Sequence, residues 1–311
     1  MIIDAHCHWL PEEIITNAHF FSRAWGDIEA GLASMEANGI DAAVLTYPSS
    51  DAHLKLGGYA AAAEIFNANL ALLAKKYPGR IIGSAVLPFG DGEAMADTVR
   101  RAHEEQGLRA VSLASSYAGV FLDDAMFGPA YRAAAEAGMP VFVHPQTVSP
   151  AGSERVSDPL LTPVVEYVFD ITLCIGKMLM SGLLREYAGE IKFIFANSGG
   201  AVPYLAARFD DTYRMLRGVD FVKDLGSDPT AQLRSIYVDT GGERESAALL
   251  PALKFFGPGR LLWGSDWPAK KDAASSLKAV RELGLGKREK DGITGGTLSS
   301  LLGISYSAEV R

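Results

Sequence analysis

The sequence predicts a single-domain (β/α)8 barrel, the TIM-barrel fold, spanning residues 1–311. Short apolar runs alternate with amphipathic stretches along nearly all of the 311 residues. Eight of these runs are long enough for a buried strand, and eight buried strands that alternate with helices are the pattern of this barrel. Two doubly wound domains would be the structural alternative, but no linker or change in composition divides the chain.

The predicted strands are short and rich in β-branched and aromatic residues. They are MIIDAHC (1–7), DAAVLTY (41–47), IIGSAVL (81–87), LRAVSLA (108–114), PVFVHP (140–145), IKFIFAN (191–197), RSIYVDT (234–240) and RLLWGSD (260–266).

Seven helical patterns lie between or after these strands, and several end in glycine, the residue favoured just beyond a helix C-terminus. They cover residues 25–39, 59–79, 92–107, 123–138, 164–187, 199–216 and 243–257. Two connections are unusually long, at residues 9–25 and 146–163. Both follow a strand, so we expect them to act as lids over a site at the carboxyl ends of the strands.

Composition and charge favour a small-molecule partner. The net charge of −8 argues against nucleic acid or an anionic membrane as the main partner, because both require a concentrated basic face. No apolar stretch reaches the length of a membrane span, and Met1 runs directly into a strand without a secretory signal. Cys7 and Cys174 are the only cysteines, which is typical of a reducing cytoplasm.

Polar residues at the ends of the predicted strands indicate a metal site. His6 and His8 are one residue apart, so in a strand they share one side while Cys7 faces the other. The active site of such a barrel lies at the carboxyl ends of its strands. Three imidazoles and one carboxylate there would suit Zn²⁺ or another first-row divalent ion, and the carboxylate could also move a proton. The four predicted ligands are His6, His8, His144 and Asp266.

Each of these residues also has an ordinary interpretation. An isolated H-x-H is a weak signal, His144 alone could be a polar strand end, and Asp266 could be the N-cap of the next helix. Their joint occurrence at three strand ends favours the metal site. His19 and His53 are minor candidates for the mouth of the barrel, and His103 lies on a predicted solvated helix face.

Other catalytic schemes fit less well. The chain has no G-x-S-x-G elbow, no P-loop and no G-x-G-x-x-G after a strand, and NSGG is too short to indicate a dinucleotide site. Cys7 would point away from the two histidines, which argues against covalent thiol chemistry.

Four motifs together resemble the amidohydrolase superfamily over the whole chain. They are H-x-H, the VHP strand, NSGGAVPYLAARFD and WGSDWP. The sequence looks closest to the amidohydrolase-related (amidohydrolase 2) family and its aminocarboxymuconate-semialdehyde decarboxylase-like branch. The resemblance implies a metal-dependent barrel of the amidohydrolase type that binds one divalent ion, usually zinc, with manganese, iron or cobalt as alternatives. The positions matching the ligands are His6, His8, His144 and Asp266.

The resemblance also implies a reaction and a partner. Members of this branch are mostly non-oxidative decarboxylases of carboxylated aromatics or dienoates, and relatives hydrate or hydrolyse ring-cleavage products. Arg208 matches an arginine that meets a substrate carboxylate across a dimer interface, so a homodimer is expected. A surface salt bridge is the alternative interpretation of Arg208.

Residue 197 departs from the family pattern. Members commonly read AHxGG where this chain reads ANSGG, and asparagine cannot take up a proton near pH 7. Three explanations remain at this point: a histidine replaced by design, a natural variant whose base is Asp239 or Asp266, and a chain that binds ligand without turnover.

The sequence therefore predicts a cytoplasmic, metal-dependent decarboxylase of a small carboxylated aromatic or ring-cleavage dienoate. In this prediction Asp266 moves the proton and Asn197 positions water or substrate. A metal-dependent hydrolase or hydratase of a ring-cleavage product or lactone is the alternative.

Overall fold

The computed structural model describes residues 1–156 and 158–304. Eight parallel strands form the sheet, in the order β1-β2-β3-β4-β7-β8-β9-β10, and β5 and β6 form a separate antiparallel hairpin. The ten strands are β1 (Ile3–His8), β2 (Ala42–Thr46), β3 (Ile81–Val86), β4 (Ala110–Ala114), β5 (Ser116–Tyr117), β6 (Val120–Phe121), β7 (Val141–His144), β8 (Phe193–Phe195), β9 (Tyr237–Asp239) and β10 (Leu261–Leu262).

Backbone hydrogen bonds between β1 and the segment after β10 close the sheet into a barrel. The Ala5 N–H donates to the Trp263 carbonyl (2.9 Å), and the His8 N–H donates to the Trp267 carbonyl (2.7 Å). Between them, the Asp266 N–H donates to the His6 carbonyl at 2.7 Å. The prediction of a (β/α)8 barrel is therefore confirmed, and each of the eight predicted strands overlaps an observed strand of the barrel.

The helices surround the barrel. They are α1 (Glu12–Asn17), α2 (Ile28–Asn38), α3 (Tyr59–Lys76), α4 (Gly92–Glu104), α5 (Gly128–Glu136), α6 (Tyr167–Ser181), α7 (Leu183–Glu186), α8 (Val202–Arg217), α9 (Pro229–Leu233), α10 (Ser246–Phe256), α11 (Ala273–Glu282), α12 (Lys287–Asp291) and α13 (Thr297–Leu301). None of the described helices is both long enough and apolar enough to cross a bilayer.

Several details differ from the sequence prediction. The connection at 9–25 contains α1 and a 3₁₀ turn (Arg23–Gly26) instead of being an open loop. The helix expected at 164–187 is a π-turn (Thr162–Glu166) followed by α6 and α7, because Gly182 adopts a left-handed conformation (φ 88°) that ends α6. The β5–β6 hairpin, α9 and the helices after β10 have no counterpart among the predicted elements.

Side chains inside the barrel form an apolar cluster that α13 covers at one end. Ile3 and Ala5 from β1 belong to this inner cluster, whereas Cys7 belongs to the larger cluster between strands and helices. The register of β1 against β2 shifts between Asp4 and Cys7. A register shift of this kind allows both odd- and even-numbered residues of one strand to face the interior. The strand β1 therefore supplies Ile3 and Ala5 to the inner apolar cluster, and His6 and His8 to the carboxyl end of the barrel.

Candidate metal centre and active-site cavity

Three histidines from two strands converge at the carboxyl end of the barrel. One ring nitrogen from each of His6, His8 and His144 lies within 4.8 Å of the other two, which makes them a possible metal-binding group. His6 and His8 end β1, and His144 ends β7 on the opposite side of the barrel. The ring centroid of His144 is 5.2 Å from that of His6 and 4.9 Å from that of His8.

Each imidazole is oriented by an oxygen at its Nδ1 atom. His6 Nδ1 lies 2.9 Å from Asp239 Oδ1, His8 Nδ1 lies 3.0 Å from the Thr46 carbonyl, and His144 Nδ1 lies 2.9 Å from the Pro145 carbonyl. Carbonyl and carboxylate oxygens accept hydrogen bonds, so each Nδ1 carries the proton. In a neutral imidazole the Nε2 lone pair is then free to bind a metal ion, and outer oxygens of this kind usually support histidine ligands.

The spacing of the Nε2 atoms fits a divalent ion. His6 Nε2 and His8 Nε2 are 3.1 Å apart. Two imidazoles on one tetrahedral zinc, with bonds of about 2.05 Å, would place their nitrogens about 3.3 Å apart. Asp266 Oδ1 lies 3.5 Å from His8 Nε2 and 3.6 Å from His6 Nε2, so its carboxylate faces the same point. The residues therefore fit a metal of the type that the sequence predicts.

Burial and charge set the protonation of this cluster. Burial would lower the pKa of His6, but the carboxylates of Asp239 and Asp266 raise it to about 9. Burial and the charge on His6 lower the pKa of His8. His144 has its pKa lowered well below the usual range, first by burial and then by His8 and His6. A divalent ion would thus displace one proton, which His6 Nε2 otherwise shares with His8 Nε2.

Asp266 is an ionised carboxylate at the edge of the cluster. Burial opposes its ionisation, but the adjacent His8 ring and the charges of His6 and Lys270 lower the pKa of Asp266 well below its ordinary value. Its backbone has a left-handed conformation (φ 60°), and it lies four residues beyond the end of β10 instead of within the strand. The turn directs its carboxylate to the histidines.

Asn197 lies beside this cluster but makes a different contribution. It follows β8 in a left-handed conformation (φ 53°), which asparagine tolerates better than most residues. Its N–H donates to Asp239 Oδ1 at 3.3 Å, and its side chain lines the cavity above the histidines. A methyl group built at Gly241 would lie 2.3 Å from Asn197 Oδ1, so the amide packs directly against that glycine.

The cluster forms the floor of a cavity of about 710 Å³. This volume is in the range of small-molecule sites. Both predicted lids contribute to its wall, since Phe20, Phe21 and Trp25 come from the first and Thr147 and Pro163 from the second. A larger cavity of about 1520 Å³ lies elsewhere, against Ile2 and Arg80, and none of its described lining residues is a histidine.

Other predicted candidates lie outside this cavity. Arg208 is exposed on α8 and is not among the described residues that line the cavity. His19 is largely exposed and pairs with Asp51, and His53 stacks on Tyr59. His103 is exposed on α4, as expected for a solvated helix face.

Thr46 and Lys270 contribute to the site and are absent from the predicted set. Thr46 holds His8 through its carbonyl, and Lys270 places its ammonium group 3.4 Å from Asp266 Oδ2. Lys270 follows Asp266 by four residues in a turn. The spacing of these two residues in WGSDWPAKK could therefore have indicated an ion pair. A backbone carbonyl such as that of Thr46 leaves no signature in the sequence.

The fold and the cluster define a (β/α)8 barrel protein with a candidate metal centre at the carboxyl ends of its strands. The chain belongs to the amidohydrolase family, because the model of that family, Amidohydro_2, matches residues 3–297. The family resemblance expected from the four motifs is thereby confirmed.

Curated relatives and solved structures agree with this family. The chain is 29% identical to 6-methylsalicylic acid decarboxylase of Penicillium expansum, over 48% of this chain and 44% of that protein. It is 23% identical to gamma-resorcylate decarboxylase of Polaromonas sp., over 84% and 86% of the two chains. A dihydroxybenzoic acid decarboxylase structure from Polaromonas sp., with bound manganese and the inhibitor 2-nitroresorcinol, has a TM-score of 0.82, 20% identity and coverage of 100% and 99%.

Proposed function

We propose that this chain is a metal-dependent carboxy-lyase that releases CO₂ from a small carboxylated aromatic acid without an oxidant. The observation that supports it best is the set of His6, His8, His144 and Asp266 beneath a cavity with aromatic walls. The decarboxylase names of the relatives support the choice of reaction.

We infer that these four residues hold one divalent ion. Zinc is our first choice because three imidazoles and a carboxylate suit it, and manganese, iron and cobalt are the alternatives. The manganese in the similar Polaromonas structure supports a divalent ion but does not favour zinc. Such an ion, when bound, supplies Lewis-acid polarisation of substrate oxygens and stabilises negative charge.

The cavity wall suits a flat ring. The Phe21 and Trp25 rings pack edge to face at 4.6 Å between centroids, the Trp25 ring stacks on His8 at 5.7 Å, and Phe20 also lines the cavity. Tyr167 and Val168, from the start of α6, also line the cavity. A benzenoid acid would bury its faces against these side chains and present its polar groups to the histidine floor.

Asp266 is the group that moves the proton in this proposal. Because it is ionised, it can accept the proton of a ring hydroxyl. The bond between ring carbon and carboxylate then breaks, CO₂ leaves, and the electron pair that stays on the ring carbon takes the proton from Asp266. Asn197 orients the substrate through its amide hydrogens, since it cannot exchange a proton near pH 7.

We also propose a homodimer in which Arg208 of one chain meets the substrate carboxylate in the other. Four apolar side chains of this region are partly or fully exposed at four-residue intervals, namely Leu161, Val165, Phe169 and Leu173. A Cβ built at Gly176 would lie 3.6 Å from the Phe209 ring, so α6 and α8 touch there. The apolar stripe of Leu161, Val165, Phe169 and Leu173 therefore lies near the helix that bears Arg208.

A cytoplasmic location completes the proposal. Cys7 and Cys174 are both free thiols and both buried. Unpaired cysteines are typical of reducing compartments.

The reaction is tested with metal-loaded protein and a panel of hydroxybenzoic acids, muconate-type acids and lactones, with detection of CO₂ and of the organic product. We expect CO₂ and the matching phenol in equal amounts from at least one hydroxybenzoic acid. A product without CO₂ would contradict the decarboxylase and favour the hydrolase or hydratase.

Asn197→His tests the third alternative, a ligand-binding chain without turnover. Binding without product in the parent protein, together with no activity in this variant on any ligand that binds, would favour that alternative.

A further inference from the structure

Lys270 is held against the wall of the cavity by three contacts. Its N–H donates to the Asp266 carbonyl at 2.8 Å, which closes a turn after the barrel. Its ammonium group donates to the Gly241 carbonyl and lies 3.4 Å from Asp266 Oδ2. A Cβ built at Gly242 would lie only 2.9 Å from Lys270 Cδ, so the aliphatic stem crosses a glycine that leaves room for it.

The ammonium group faces the oxygen of Asp266 that the histidines do not use. Asp266 Oδ1 is the atom near His6 and His8, whereas Oδ2 is the atom near Lys270. A lysine ammonium has three donors; the Gly241 carbonyl accepts one of them, and the Asp266 carboxylate forms an ion pair with the group. The side chain remains 46% exposed and lines the cavity, so one donor is available to a ligand there.

The charges around the cavity make this donor distinctive. Among the described lining residues Lys270 is the only lysine or arginine, and Asp266 and Glu243 are the carboxylates. An anionic acid that enters this cavity therefore meets one ammonium group within the chain itself. Arg208 does not supply this charge from the same chain, because it is not among those lining residues.

We propose that Lys270 binds the carboxylate of the substrate and selects carboxylated aromatic rings over neutral ones. The inference rests on the proposed decarboxylation, for which it names a specificity-determining residue. An ammonium-to-carboxylate hydrogen bond is charge-assisted and needs no planar match, which suits a lysine at a partly solvated wall.

The position predicts which kinetic constant Lys270 controls. The carboxylate is anionic in the ground state, and its charge moves to the ring as CO₂ forms. Lys270 therefore binds the substrate at least as well as the transition state, and its loss should raise KM more than it lowers kcat. A lysine that only positioned Asp266 would instead change kcat when removed.

The experiment compares Lys270→Met with Lys271→Met, which removes the same charge from the next residue, outside the cavity lining. Calorimetry with the metal-loaded proteins measures binding of 2,6-dihydroxybenzoate and of resorcinol, which lacks the carboxylate. Lys270→Met should weaken the acid by about 10- to 100-fold and leave resorcinol within about two-fold, as expected for one charge-assisted hydrogen bond. Lys270→Arg should restore part of the loss.

Two outcomes would overturn the inference: an equal loss for both ligands, or unchanged affinity for the acid in Lys270→Met. A failure of the proposed reaction can be distinguished from a failure of the proposed role of Lys270. If the parent protein released no CO₂ but Lys270→Met lost affinity for the acid alone, the binding role would stand without decarboxylation. If CO₂ were released with the same KM by both proteins, decarboxylation would stand without this role for Lys270.

Discussion

Asp239 Oδ1 lies 2.9 Å from His6 Nδ1 and joins residues that are 233 positions apart in the chain. The same oxygen accepts the N–H groups of Gly241 (2.8 Å) and Asn197 (3.3 Å). This carboxylate therefore holds the ring of His6 and the two turns beside it. The contacts make Asp239 a positioning residue for His6, whereas the sequence left it as one of two candidate bases.

Asp239→Asn should weaken metal binding about 10- to 100-fold, the usual effect of losing an outer carboxylate partner. The amide oxygen can still accept from His6 Nδ1, but the neutral side chain no longer raises the basicity of the ring. Competition with a chelator of known affinity measures the change. Asp97→Asn is the matched control, since Asp97 is 73% exposed and pairs only with Arg100 among the described residues. Equal metal affinity in both variants would contradict the role of Asp239.

Loss of a histidine should remove the metal. Protein with His144→Ala, purified without chelator, should contain well under one equivalent of divalent ion, whereas the parent should contain about one. The expected cause is the loss of one of the few ligands of the site. His103→Ala serves as the control because His103 is exposed on α4. Elemental analysis measures the metal content of each protein. A full equivalent of divalent ion in His144→Ala would refute the predicted ligand set.

The sequence was most informative about the strands of the barrel and about the residues at their carboxyl ends. The apolar runs predicted all eight strands because strands inside such a barrel are buried on both faces. The three histidines could be predicted to meet because carboxyl ends of parallel strands share one end of the barrel. Asp266 was placed in the last strand, but it lies in the turn beyond it, since hydropathy does not mark where pairing ends.

The hydrogen-bond partners of the histidines that are distant in the sequence could not be predicted in the same way. The oxygens that orient the histidines come from Asp239 and from the backbone of Thr46 and Pro145, and a backbone carbonyl has no sequence signature. The register shift in β1 and the π-turn before α6 depend on tertiary packing. Neither follows from local propensity.

Gly264→Ala should disturb the metal centre from outside it. A Cβ at this position would lie 2.4 Å from His6 Cβ and 3.0 Å from His6 N, so the barrel strand would have to shift. We expect a loss of about 1–3 kcal/mol in the free energy of unfolding and a weaker affinity for metal. Urea unfolding and chelator competition measure the two effects. Gly284→Ala, with no atom within 4 Å of the new Cβ, is the control and should change neither.

The proposed homodimer predicts a concentration-dependent mass. Phe169 and Leu173 are 50% and 49% exposed on α6, and a charged side chain at each would have to be desolvated in an interface. Sedimentation equilibrium should show a dimer for the parent chain and a shift toward monomer for the double variant Phe169→Asp, Leu173→Asp. Leu72→Asp on α3, at a site 68% exposed, is the control. A monomeric parent chain at all concentrations would exclude the dimer.

Asp170 fixes the second predicted lid to the barrel. Its fully buried carboxylate accepts from the Gln146 N–H (3.0 Å) through Oδ2 and from the Ala151 N–H (3.0 Å) through Oδ1, and the Ser115 hydroxyl also donates to it. Asp170→Leu would leave the Ser115 hydroxyl and the Ala151 N–H without this acceptor, whereas the Gln146 N–H still donates to the Ser115 hydroxyl oxygen at 2.9 Å. Each buried donor that loses its acceptor costs about 1–3 kcal/mol, so for two donors we expect a loss of roughly 2 kcal/mol or more in unfolding free energy.

Asp170→Leu should also affect binding, because Gln146 follows His144 by two residues and Thr147 lines the cavity. We expect a higher KM for carboxylated substrates and faster proteolysis of the connection at 146–163. Asp158→Leu is the control, since Asp158 is an exposed residue of the same connection that accepts from the Leu160 N–H at 2.9 Å. If urea unfolding and KM changed equally little in both variants, Asp170 would not be the anchor of this lid, and the connection would have to be held by its contacts with Ser49.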